Sequence, residues 1–465
     1  MARKSLCFAV SLMVFMAICM TACGKSVSMP SPSQNLSSNL TDAASGDGSQ
    51  SGDAASDGAS DTDTASPSGS GTQSADSSGT SAASPSGGTQ SDFGTQSSNT
   101  SADSAASGSL PLTLMGHMEL AYAENFSVDY YEGGFSLITI AEDRFLLVPE
   151  GQEAPEGIAI PCLMQPISSI YVASSSAMDL FLHCGAMQEV AMTSTAAADW
   201  TVPEIHDAVS DGSITYVGKY HSPDYETILT KDCGLVVENT MIYHSPETKE
   251  MLEALGVPVM VEWSSYEPHP LGRVEWIKLY GLLTGHEEEA EAFFSKSLKT
   301  LDTVLTAGDS LDTTAESDGR KTVTFFYITT SGYANVRKPG DYISKMIALA
   351  GGEYFYPGGS SDSENSLSTL NMDLETFYTT SKDADILIYN STVETELTSI
   401  DDLIKKSPLL ADFKAVKTGD VWCTNQNMFQ QISGTADMIA EMYSVIHDDG
   451  DVGTRGDLVY LHKLS

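Results

Sequence analysis

Basic residues are scarce in this chain: 23 Lys and Arg stand against 63 Asp and Glu in 465 residues. That imbalance removes the attraction on which nucleic-acid binding depends and disfavours docking on anionic lipid. Cysteines are few and irregularly spaced, with no Cys-x-x-Cys pair, so zinc-site spacing is missing. The histidines are scattered and form no cluster of three, which argues against a metal held by protein ligands alone. There is no Gly-x-Ser-x-Gly, no Walker pattern and no His-Glu-x-x-His, so an enzyme is the weaker class. After the N-terminus no apolar run reaches membrane-spanning length.

What is present begins with a positive start, Arg3 and Lys4, and an apolar run from Leu6 to Met20. The run is short for a membrane span and reads as the h-region of a signal peptide. It ends in Met20-Thr-Ala-Cys23, small residues before a cysteine that resemble the bacterial lipobox. Residues 1–22 are therefore expected to be a lipoprotein signal peptide, with Cys23 the lipidated residue. Residues 23–109 follow as a Ser/Gly/Asp-rich stretch with one aromatic residue, Phe93, and no Lys or Arg after Lys25. Such a composition buries too little apolar surface to offset ordering entropy, and a disordered tether is expected. Lipid, tether and folded body together describe an extracytoplasmic, Gram-positive-type surface lipoprotein held to the cell membrane by its anchor alone.

The body begins near Leu110. Setting aside nine tether aspartates and three N-terminal bases leaves 54 acidic against 20 basic residues, a net charge near −34. Cys184 and Cys233 lie in apolar runs and read as small core residues, and a Cys162–Cys184 disulfide is left open. A β-hairpin with a third strand is expected over Phe126–Val148, because apolar residues alternate around the Glu132-Gly-Gly turn. Strands and helices then alternate twice, first from Ser169 to Val261 and again from Lys321, which predicts two α/β lobes with mostly parallel sheets. Ala415-Val416 is read as a short strand in the second series. Between the series, one helix is expected from Pro270 to Leu283. A long amphipathic helix follows from Glu287 to about Leu305, with Ala290, Phe293, Phe294, Leu298, Leu301 and Leu305 at helical spacing.

Five segments in order resemble the substrate-binding proteins of iron–siderophore, haem and cobalamin ABC importers. They are Val217-Gly-Lys-Tyr through Gly234-Leu-Val-Val, Leu255-Gly-Val-Pro-Val, and Arg273-Val-Glu-Trp-Ile through Gly285-His-Glu-Glu-Glu-Ala-Glu. Met346-Ile-Ala-Leu-Ala-Gly-Gly and Asn371-Met-Asp-Leu-Glu-Thr through Ala384-Asp-Ile-Leu-Ile complete the set. The first departs from the family at Lys231-Asp-Cys-Gly, where Lys-Pro-Asp is usual. The resemblance spans roughly residues 110–460. It implies a two-lobed periplasmic-binding-protein-like fold with a single interlobe helix, small closure, and a ligand held between the lobes. The expected partition is an N-terminal lobe with its leading hairpin over 110–268, a helical region over 269–307, and a C-terminal lobe over 308–465. The implied partners are an ABC permease dimer with its ATPase and a metal chelate: a ferric siderophore first, cobalamin or haem next. The protein is expected to act as a monomer without a resident cofactor.

The resemblance implies that an exposed Glu on each lobe meets basic permease residues, and Glu226 and Glu375 hold equivalent places at the starts of short helices. Cleft loops at strand ends bring Trp200, Tyr220, Tyr266 and Tyr333 forward as aromatic contacts for a chelate, with Tyr354, Tyr356 and Phe429 behind them. Arg337 and Arg273 fall in expected cleft loops of opposite lobes and suit anionic oxygens. Ser174-Ser-Ser at a helix start could hold an anion. Glu267 and His269 could ligate a metal, but His269 reads better as a helix-start residue. A sensor or adhesion lipoprotein without a transporter, and a direct zinc or manganese transporter, are the competing binding-protein readings.

Overall fold

The computed structural model describes residues 110–310, 319–358, 369–447 and 458–465, with side chains omitted at 308–310. The signal segment, Cys23, the tether, the polar loop after the long helix, and Arg455 lie outside the described residues.

The leading strands form a five-stranded sheet: β1 (Leu114–His117), β2 (Phe126–Tyr131), β3 (Ser136–Ile140), β4 (Asp143–Val148) and β5 (Cys162–Met164), in that order. Neighbours are antiparallel until β5, which joins β4 in parallel. The expected three strands are present. β1 and β5 lie outside those three: β1 is short and mostly exposed, and β5 has only three residues, too few to show alternation. Alternation divides the faces: Val128, Ile138 and Leu147 enter the main core, while Leu137, Leu146 and Val148 pack beneath residues near Leu110.

The first α/β series runs β6 (Ile170–Val172), α1 (Ser175–His183), β7 (Val190–Thr193), α2 (Pro203–Ser210), β8 (Thr215–Tyr216), α3 (Tyr225–Thr230), β9 (Val236–Asn239), α4 (Pro246–Ala254) and β10 (Val259–Glu262). Its sheet is parallel throughout, in the order β10-β9-β6-β7-β8. Three helices follow: α5 (Pro270–Glu275), α6 (Ile277–Thr284) and α7 (Glu287–Ser310). The single helix expected from Pro270 is thus two, parted at Trp276, whose buried indole N–H donates to Glu267 at 2.7 Å. Gly285 ends α6 in the left-handed conformation (φ 77°), where glycine escapes the Cβ penalty.

Helix α7 has 24 residues, about 36 Å at 1.5 Å per residue. Its buried stripe is Ala290, Phe294, Ser297, Leu301 and Val304, a four-three spacing. Leu305, expected in that stripe, is exposed, and Val304 takes the inward place.

The second series comprises β11 (Thr322–Ile328), β12 (Ala334–Arg337), α8 (Tyr342–Leu349), β13 (Glu353–Tyr354), β14 (Thr369–Met372), α9 (Leu374–Ser381), β15 (Ile386–Tyr389), α10 (Ile400–Lys406), α11 (Lys414–Thr418), β16 (Val421–Thr424), α12 (Thr435–His447) and β17 (Leu461–Lys463). The sheet order is β14-β12-β11-β15-β16-β17, with β13 also beside β11. Central strands are parallel, and β12, β14 and β17 are antiparallel. Ala415 and Val416 lie in α11, not in a strand: an apolar pair carries no period, and Gly419 closes a helical turn there.

The two lobes share one continuous core. It runs from Val172, Val237 and Met260 through Tyr280, Phe294 and Leu301 to Met442, Phe325 and Ile388. Direct hydrogen bonds join the lobes as well. Gln430 Oε1 accepts from the Thr201 amide and hydroxyl at 2.8 and 2.6 Å, and the Ser433 amide donates to Asp179 at 2.8 Å. The Lys345 ammonium donates to the Pro268 carbonyl.

Buried carboxylates fasten the irregular segments. Glu275 accepts the amides of Ala121, Tyr122 and Ala123 at 2.7–3.0 Å, and Glu267 accepts those of Glu124 and Asn125 at 2.7 and 3.1 Å. Glu441 of α12 likewise receives the amides of Val459, Tyr460 and Leu461. All four body cysteines carry free thiols, so the disulfide left open between Cys162 and Cys184 is not formed.

Candidate functional site

On the N-terminal lobe, Glu262 ends β10 on the face that carries Met260 into the shared core. Its carboxylate accepts from Ser174 Oγ at 2.8 Å, Ser176 Oγ at 3.3 Å and the Ser264 amide at 2.8 Å. The hydroxyls of Ser174 and Ser176, which could have met a foreign anion, are therefore engaged by the chain's own carboxylate. Trp263 and Tyr266 follow at once, rings 5.2 Å apart, and Tyr243 lies 6.2 Å from Trp263.

His269 then caps α5, its Nδ1 accepting the Leu271 amide at 3.1 Å, and its ring stacks on Tyr122 at 4.1 Å. Burial, helped by Lys345, pulls its pKa down and keeps the ring neutral. Its nitrogen is engaged in capping, as expected of a helix-start residue. Arg273, one turn on, is buried, and its guanidinium lies 3.7 Å over the Tyr342 ring of the opposite lobe.

On the C-terminal lobe, alternation along β11, β12 and β14 divides an apolar from a polar face. Phe326, Val336 and Met372 join the outer core under α9, α10 and α11. Tyr327, Asn335, Arg337, Thr369 and Asn371 share the other face by register. The Asn335 amide donates to Thr369 Oγ at 3.1 Å and to Asn371 Oδ1 at 2.8 Å. Arg337, expected in a loop, is the last residue of β12. It is buried, 3.3 Å from Asp341 Oδ2, 5.2 Å from the Phe429 ring and 5.9 Å from the Tyr342 ring. Burial works against its charge, but Asp341 and the tyrosines beside it raise its pKa overall. Tyr354 donates its hydroxyl to the Arg337 carbonyl at 2.7 Å.

The structure thus brings Arg273 and Arg337 onto one tyrosine from opposite lobes, with Tyr266 in the turn just before α5. Trp200 is core, 5% exposed, its indole N–H donated to the Thr195 carbonyl at 3.2 Å. Tyr220 packs on the opposite face of the first parallel sheet, against the cluster of Tyr171 and Val236. Tyr333 is exposed at the β11–β12 turn. Tyr342, Asn335, Asn371 and Tyr327 were missed. The alternation in Ala334-Asn-Val-Arg and Thr369-Leu-Asn-Met is the one sequence signal for these strands, and each run is only four residues long.

Glu226 and Glu375 are both exposed and stand in the first turns of α3 and α9. The two turns repeat one device, Asp-x-Glu-Thr. Asp224 accepts the Glu226 and Thr227 amides at 3.1 Å and the Thr227 hydroxyl at 2.6 Å. Asp373 accepts the Thr376 amide at 2.8 Å and its hydroxyl at 2.7 Å. These bonds hold both cap carboxylates below the usual aspartate range. Among the described residues no group of three or more His, Cys, Asp or Glu could hold a metal ion. A cavity of about 610 Å³ lies elsewhere, lined by Asp143, Arg144, Cys162, Lys249 and Val259.

A family model described as periplasmic binding protein matches residues 170–427, a little over half of the chain. An uncharacterized lipoprotein of Methanocaldococcus jannaschii is 24% identical over 365 residues, spanning 75% of this chain and 88% of that protein. Among solved structures, a periplasmic heme binding protein from Pseudomonas aeruginosa aligns over 64% of this chain and 98% of its own, at 14% identity and a TM-score of 0.49. A petrobactin-binding protein from Bacillus subtilis aligns over 61% and 93%, at 14% identity and a TM-score of 0.47.

Proposed function

Because the chain belongs to the periplasmic binding protein family, we propose that it is the extracytoplasmic solute-binding component of an ABC importer. It captures a metal chelate between its lobes and presents it to a permease dimer driven by an ATPase. A ferric siderophore is the first candidate ligand, with cobalamin or haem next. The observation that carries this reading is the repeated turn: an exposed glutamate behind an identical Asp–Thr cap, once on each lobe. Two carboxylates fixed on rigid first turns suit a partner with two equivalent basic patches, where charge-assisted bonds fix register and steer encounter. The partly exposed rings of Trp263 and Tyr266 would suit the faces of a chelate, and Asn371 and Arg337 would supply polar groups. Lipidation at Cys23 would keep the body near the permease.

Glu226→Arg combined with Glu375→Arg should abolish uptake of the cognate chelate by cells, while dissociation constants of the purified protein stay within about threefold of wild type. Undiminished transport by the double variant would reject the docking role.

A further inference from the structure

Asp341 caps α8 with one oxygen and meets Arg337 with the other. Its Oδ1 accepts the Ile343 amide at 2.9 Å, and its Oδ2 lies 3.3 Å from Arg337 Nη1. The side chains of this pair are 5% and 9% exposed. Arg273, reaching across from α5, also stabilises the Asp341 charge, although burial raises the pKa of the carboxyl overall. Strong charge-assisted bonds run at about 2.7–2.9 Å, so the contact neutralises Arg337 without saturating it. An asparagine would cap α8 comparably. What aspartate adds is a negative charge at the arginine of the cleft wall.

We infer that Asp341 is a specificity-determining residue: by answering Arg337 with an internal carboxylate, it makes the cleft accept neutral or weakly charged chelates in preference to polyanionic ones. The inference rests on the chelate-binding reading above. A polyanionic chelate first meets a body of net charge near −34. It then meets a guanidinium whose charge is already compensated, so its acidic groups gain only what Asp341 releases. Separating the buried pair is itself costly, because either partner left alone is an uncompensated buried charge. A neutral chelate leaves the pair intact and draws its affinity from the partly exposed ring faces of Phe429 and Tyr266.

Asp341→Asn removes the charge and keeps the cap. Dissociation constants are to be measured by intrinsic fluorescence quenching with a ferric tris-catecholate, which is polyanionic, and with cyanocobalamin, which is neutral. The variant should bind the ferric tris-catecholate at least roughly tenfold tighter than wild type, with cyanocobalamin affinity within about threefold. Equal or weaker binding of the catecholate by the variant overturns the inference. A thermal-shift series with pyrophosphate reads the same charge without a chelate: the variant should gain more stability from pyrophosphate than wild type does. If neither chelate binds either protein, the chelate reading fails, and the pyrophosphate series still decides this one, an equal response in both proteins overturning it. Should Asp341→Asn not fold, Asp341→Ser, which also caps, takes its place in both measurements.

Discussion

Glu238 lies buried in β9, in a mainly apolar layer formed by Tyr171, Val236, Val259 and Ile228, with the Asn239 amide beside it as the group that favours its charge. Tyr171 and Tyr220 are the titratable neighbours that its charge perturbs. Burial drives its pKa well above the ordinary value of 4.5, so the folded state keeps the proton that the unfolded chain gives up. For a raised pKa the sign is fixed. The favourable contribution is complete below pH 4.5 and is lost as pH climbs from there through the folded value. Glu238→Met should therefore raise the melting temperature at pH 7–8 and flatten the decline of stability between pH 5 and 8, both measurable by calorimetry. A melting temperature unchanged at pH 8 would mean that the carboxyl has a partner. Residues of this kind are hard to place in advance. Glu238 and Glu262 both sit at the ends of apolar runs, yet one enters a mainly apolar layer and the other meets three hydrogen-bond donors.

At the scale of elements, α5 joins two tasks. Its last residue, Glu275, holds the segment between β1 and β2, and the same six-residue helix carries Arg273 to Tyr342 of the other lobe. Glu275→Ala strips acceptors from three backbone amides. Each buried amide left unpaired costs about 1–3 kcal/mol, so a loss of at least roughly 3 kcal/mol is expected in urea unfolding. Glu275→Gln, which keeps one oxygen, should lose less. Hydrogen exchange at Ala121, Tyr122 and Ala123 should speed up in the alanine variant. A loss below about 1 kcal/mol would show that water replaces the carboxylate. Elements with a strong signal of their own were legible beforehand. The caps of α3, α8 and α9 and the stripe of α7 follow from local spacing. Strands of three or four residues such as β1, β12 and β14 were not, because their identity depends on the neighbour that completes the ladder.

At the scale of the whole molecule, α6, α7 and α12 weld the lobes into one core, and Gln430 and Asp179 add polar ties across the junction. A junction of this kind resists wide hinge bending and favours the small closure expected of a single crossing helix. The proposed delivery to a permease would depend on where the body is held. Cys23→Ala should release the protein from membranes into the soluble fraction, with chelate affinity of the body unchanged. Fractionation followed by immunoblotting checks this, and a variant that stays wholly with membranes would refute the lipid anchor.

Local information in the sequence was enough for the two alternating α/β series, the repeated Asp-x-Glu-Thr turns and the acidic balance of the body. Capping bonds, helical stripes and net charge depend on residues near one another in the chain or on none in particular. The meeting of the two arginines was decided only by tertiary structure. Arg273 and Arg337 stand 64 positions apart in the chain and meet on Tyr342 because α5 and β12 pack from opposite lobes. Trp200 has the same chemistry as a cleft aromatic, but its ring was claimed by the core. Which face of a strand turns inward, and which carboxylate answers which guanidinium, follows from packing between distant segments, and no spacing along the chain encodes it.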